Sequence, residues 1–152
     1  MNEMMCKALC DNTDGTKDWI VGYVSRCEKQ PTIVDEDGVG MFVDGNTVCR
    51  CTNMTDKNGK MIWENDILRG HGNPNDLAKA VFGEFDVIEV ESLERIDKVI
   101  GWHTEVIPTD AISRAEPFCL SMPLTDFYIK LSEWEVVGNC FSNPELLERS
   151  IM

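Results

Sequence analysis

Apolar and polar positions alternate over short stretches along most of this chain, and turn residues interrupt them. Trp19 to Val24, Thr32 to Val34, Val39 to Val43 and Thr47 to Thr52 carry β-branched or aromatic residues in runs too short for an amphipathic helix. Asp-Gly pairs at 14–15, 37–38 and 44–45 fall between these runs, which is hairpin punctuation. Asn58-Gly59 predicts a further tight turn with positive φ, ahead of a strand at Met61 to Trp63. Glu64-Asn65-Asp66 reads as a turn that enters a strand at Ile67 and Leu68. Gly70 to Asn75 reads as an exposed loop and Asp76 to Lys79 as a turn of helix. Strand pattern resumes over Lys79 to Glu91, where Gly83 predicts a bulge or a close backbone approach. Val99 to His103 and Glu105 to Ile107 predict a further strand or hairpin. Phe127, Ile129 and Leu131 share one strand parity and Trp134 and Val136 the other, so a bulge or tight turn is expected at Ser132–Glu133. Asn143, Pro144 and Glu145 suit the cap, first position and acidic first turn of a short C-terminal helix.

Together these elements predict a mainly β protein: an antiparallel meander over residues 1–52, then a small barrel-like (SH3-like) β module over residues 53–152 with the short helix at its end. One continuous domain is the alternative. A length of 152 residues and a hydrophobic content of 43% support a packed core. The chain carries 14 Lys plus Arg against 27 Asp plus Glu, a formal charge of −13. That balance opposes counterion-releasing contact with nucleic acid, so no nucleic-acid partner is expected. No apolar run approaches the roughly 20 residues of a spanning helix, and Met1 to Cys10 lacks the apolar centre of an export signal. The expected setting is the cytoplasm of a bacterial cell, away from membranes.

Seven cysteines stand at 6, 10, 27, 49, 51, 119 and 140. Their spacing includes no C-x2-C pair, so they read as packed thiols, with Cys49 and Cys51 on one face of a strand. No metal or cofactor is expected. Asp56-Lys57-Asn58-Gly59 places Gly fourth and Lys60 fifth, which breaks the calcium-loop pattern and leaves a hairpin turn. Glu64 and Asp66 resemble an acid pair, yet Asp66 more readily caps a turn. His71 and His103 have no neighbouring nucleophile motif, and no glycine pattern matches a phosphate-binding loop. The four Trp, at 19, 63, 102 and 134, fall in strand-like runs and suit core or interface anchoring.

Two segments carry a family resemblance. Cys51 to Leu68 (CTNMTDKNGKMIWENDIL) and Trp134 to Leu147 (WEVVGNCFSNPELL) resemble two motifs of the YopX family of phage and prophage proteins, in the family's order. A weaker likeness covers Lys17 to Val24, so the resemblance spans residues 17–148. The positions that carry it are Asp56, Asn58, Gly59, Glu64, Asp66, Gly138, Asn139, Asn143 and Pro144, read as structural rather than catalytic. Asn53 and Asn65 stand where the family has Gly, and Asn is the side chain best suited to a left-handed backbone. The resemblance implies a β-rich phage or prophage protein and brings no established activity. The expectation is a non-enzymatic accessory protein acting through protein contacts as a homo-oligomer, with a host or phage protein as a further partner. The alternatives are an acidic mimic of DNA that blocks a host nucleic-acid-binding protein, an enzyme with an unrecognised site, and a small nucleic-acid-binding barrel.

Overall fold

The computed structural model describes residues 5–25, 31–89 and 91–148; Cys27 lies outside them. The chain divides into two compact units, Met1–Cys51 and Thr52–Met152.

The first unit is an antiparallel meander. Strand β1 (Met5–Asp11) pairs with β2 (Lys17–Ser25), β2 with β3 (Thr32–Val34), and β3 with β4 (Gly40–Phe42). Strand β5 (Cys49–Thr55) starts in this unit, where Cys49 and Arg50 lie opposite Lys7 and Cys6 of β1. Alternation along β1 turns Cys6, Ala8 and Cys10 inward against Ile33 and Val43. Cys49 and Cys51 are buried two apart on β5, as the alternation predicts. A short 3-10 turn (Gly45–Thr47) precedes β5, where the expected strand began at Thr47. Asp44 starts that turn by accepting from the Asn46 amide at 3.0 Å.

In the second unit the end of β5 lies beside β6 (Met61–Trp63), and the Thr52 hydroxyl donates to the Ile62 carbonyl at 2.7 Å. The main sheet has the order β10-β9-β8-β7-β11, built from β7 (Asp66–Arg69), β8 (Leu77–Ile88), β9 (Arg95–Ile107), β10 (Met122–Pro123) and β11 (Glu135–Asn139). The mainly β class and the short C-terminal helix α2 (Glu145–Glu148) agree with the strand pattern. The sheet is open, with the two-residue β10 at one edge and the five-residue β11 at the other, so the barrel-like module expected from sequence takes the form of an open sheet. One face packs Leu68, Ala78 and Ala80 against Ile62, Ile129 and Trp134. The other packs Ile67, Leu77 and Ile107 against Val137, Leu146 and Leu147.

Several local expectations are corrected. Phe127, Ile129 and Leu131 lie on helix α1 (Asp126–Ser132), not on a strand. Thr125 caps its start by accepting from the Tyr128 amide, and Glu133, at φ 51°, closes its end in the left-handed conformation. Trp134 is buried just before β11 rather than within a strand. Leu77 to Lys79 open β8 instead of forming helix. Gly83 sits opposite Gly101 in unbroken register; the shift falls at Val87–Ile88, where β9 has an extra residue. The two stretches around His103 are one strand, β9. At Asn58-Gly59 only the glycine takes positive φ.

Candidate functional site

The motif residues build turns. Three hairpins share one geometry, closed by Asn12–Thr16, Asp35–Val39 and Asp56–Lys60. In each, the first residue exchanges backbone hydrogen bonds with residues three and four places on, and the fourth is Gly, at φ 88°, 81° and 82° respectively. Asp35 and Asp56 also use Oδ1 alike, each accepting from the amides two and four residues on. Asp56 alone goes further. It is 6% exposed, and its Oδ2 accepts from the Val136 amide of β11 at 2.8 Å. Asn58 reaches the Glu135 carboxylate at 3.5 Å, and Arg69 holds the same carboxylate at 2.6 Å. The Arg69 hydrogen bond, with its charge, keeps the Glu135 carboxyl below its ordinary range.

Asp66 is buried, and its Oδ2 accepts from the Trp63 amide at 2.8 Å, the turn-capping role expected of it. Glu64 is half-buried in that turn, and Asn65 takes φ 69° while bonding both Ala80 of β8 and Cys140. Asn53 takes φ 61°, so both Asn residues hold the left-handed backbone expected where the family has Gly. Asp66 lies opposite Asn139 in the β7–β11 register. Asn139 Oδ1 accepts from the Phe141 and Ser142 amides, and Asn143 Oδ1 accepts from the Asn139 amide at 3.2 Å. The Asn143 side chain fills the space a Cβ at Gly138 would take, which explains the glycine. Asn143 therefore turns its oxygen back to β11, while exposed Pro144 leads into α2. Asp56 and Asn58, in the turn between β5 and β6, reach β11, Asp66 lies opposite Asn139 across β7 and β11, and Asn143 packs over Gly138.

Two other regions have the exposure that recognition needs. The first is a cleft of about 320 Å³ walled by the Gly70–Asp76 loop and by residues 106–118. The Thr109 hydroxyl ties the two walls together by donating to the Asn75 carbonyl. His71, at φ 51°, bonds Glu133 through Nδ1 at 3.0 Å. The Ser113 hydroxyl accepts from the Thr109 and Asp110 amides and donates to the Asp110 carbonyl, so it is committed to its turn. Burial pushes the Asp76 carboxyl up, with His71 opposing and Asp110 adding to the shift. His103 stands apart from this cleft in role. It is buried, stacked on Phe85 at 4.5 Å between ring centres, with Nδ1 3.0 Å from the Gly101 carbonyl.

The second region is the outer half of the β8–β9 hairpin. Strand β7 pairs with β8 only over Leu77 to Lys79. Beyond that point Phe82 faces Trp102, Glu84 faces Ile100, and Asp86 faces Lys98 across the ribbon. Phe82 is 42% exposed and Ile100 68% exposed, although the Phe82 ring meets Trp102 edge-on at 5.2 Å. Sequence reading located the strands here but not their apolar exposure, because the same alternation serves a covered face.

Among the described residues no group of three or more His, Cys, Asp or Glu could hold a metal ion, and no helix is long and apolar enough to cross a membrane. The model of a protein family described as YopX protein matches residues 2–148, which extends the resemblance to the start of β1. No curated protein matches the chain.

Proposed function

Because the chain belongs to the YopX protein family, we propose that it is a phage or prophage accessory protein of the bacterial cytoplasm that catalyses no reaction and acts through protein contacts as a homo-oligomer. The observation that carries this reading is the exposed apolar face of the β8–β9 hairpin, with Phe82 and Ile100 outside the covered core. Exposed apolar side chains grouped on one sheet face favour contact with another surface. The same face supports a second copy as the occupant. Acidic Glu84 and Asp86 line β8, while basic Lys98 lies on β9. A two-fold arrangement sets Glu84 and Asp86 of one copy near Lys98 of the other. Size-exclusion chromatography with light scattering tests this. A dimer or higher species is expected for the wild type, and Phe82→Ser with Ile100→Ser is expected to give a folded monomer. A wild-type monomer across the micromolar range removes the oligomer.

The DNA-mimic alternative has less support. Lys98 interrupts the acidic face, and Arg95 lies 3.7 Å from Asp86, so the charges there are mixed rather than a phosphate-like row.

A further inference from the structure

We propose that the cleft between the Gly70–Asp76 loop and residues 106–118 binds an organic cation, a guanidinium or alkylammonium group on a short apolar stem. The inference is independent of the β8–β9 contact.

A cavity of about 320 Å³ is at the small end of ligand sites and suits a group of side-chain size. Asp76 lines it, and its carboxylate lies over Gly70, where any Cβ would collide with Oδ2. Among the described residues no hydrogen bond to that carboxylate is found, in contrast to Asp56 and Asp66. Asp76 is thus a partly desolvated anion with unused acceptor capacity.

The neighbouring groups decide the charge and form of a ligand. Asp110 adds a second carboxylate, held below its ordinary range chiefly by the Ser113 amide. The Glu133 bond occupies Nδ1 of His71. His71 offsets part of the Asp76 charge and Arg114 part of the Asp110 charge, and the paired carboxylates still favour a cation over an anion. Val106, Ile112 and Phe118 supply apolar wall, and Phe118 is 62% exposed. An aromatic face and apolar wall beside carboxylates suit an organic cation. A hard metal ion instead takes six or more oxygens. A guanidinium offers paired donors that match a carboxylate, and its stem would cover Ile112 and Phe118.

The cation could reach the cleft as a free small molecule or on an arginine side chain of a protein. Titration of the full chain, followed by amide NMR shifts, separates these sources with butylguanidinium and the peptide acetyl-Gly-Arg-Gly-amide. Neutral butylurea is the isosteric control. Saturable shifts confined to Gly70–Asp76 and Thr109–Phe118 are expected for the cations. Stronger binding of butylguanidinium points to a free ligand, and stronger binding of the peptide points to a protein side chain. Asp76→Asn should weaken binding by about tenfold or more, and Phe118→Ala should weaken it less. Equal binding of butylurea, undiminished binding to Asp76→Asn, or shifts that spread over the surface without saturating would each overturn the proposal.

Discussion

Asp35 and Asp56 begin turns that are alike atom by atom, one in each unit. Both accept two local amides on Oδ1, and both turns end on a left-handed Gly. What differs is the second carboxylate oxygen. Asp35 stands on a half-exposed turn, whereas Asp56 is buried and extends Oδ2 to Val136, 80 residues away. A local capping motif thus becomes a long-range tie through one additional bond. Asp66 and Asn143 spend their side-chain acceptors on local turn bonds, and the surfaces proposed for recognition lie elsewhere. The β8–β9 face and the Asp76 cleft are those surfaces in this account.

Asp56→Ala removes an acceptor from three amides, one of them on β11. A loss of about 3–4 kcal/mol is expected in urea unfolding. Gly138→Ala drives a methyl into Asn143 and should cost about 2 kcal/mol by the same assay. Asp35→Ala, with only local bonds at stake, should cost about 1 kcal/mol. Equal losses for Asp35→Ala and Asp56→Ala would remove the distinction between the two turns.

The smallest effects depend on pH and have opposite signs. The Glu135 carboxyl is lowered by Arg69, so its stabilisation is present above the unfolded-state value and fades as pH falls through the folded one. Glu135→Gln should therefore differ from wild type at neutral pH and converge with it in strong acid. The Asp76 carboxyl is raised by burial, so its folded state is favoured at low pH and that advantage is lost as pH rises through the folded value. Asp76→Asn should be at least as stable as wild type at pH 7 and lose that gain on acidification. Thermal unfolding from pH 3 to 7 checks both signs.

Much of this was legible in the sequence, for physical reasons. Asp-x-x-Gly turns and left-handed Asn residues are local features, and period-two alternation located β2, β3, β6 and β8. Strand β1 is faint in the sequence because Cys and Ala supply its buried face and give a weak apolar signal. Helix α1 carries a strand-like pattern because Phe127, Ile129 and Leu131 recur every second residue, and seven residues are too few to separate that from a helical period. The Asp56–Val136 bond and the pairing of the 70–76 loop with Thr109 join distant segments, so no local pattern announces them. His71 stood out as a loop residue, but Asp76 and Asp110 beside it emerge only from the folded cleft.

The central claim is that this protein works by contact through the β8–β9 face, with a second copy as occupant. Sedimentation velocity of the full chain over a range of concentrations, at low and moderate salt, tests it most directly. Each copy carries −13, and salt shortens the reach of their repulsion to about 10 Å at 0.1 M. The account predicts a concentration-dependent dimer that strengthens with salt in the wild type and disappears in Ile100→Lys, while Asp35→Ala leaves it in place. A wild type that stays monomeric at every salt, or an Ile100→Lys protein that still dimerises, would contradict it.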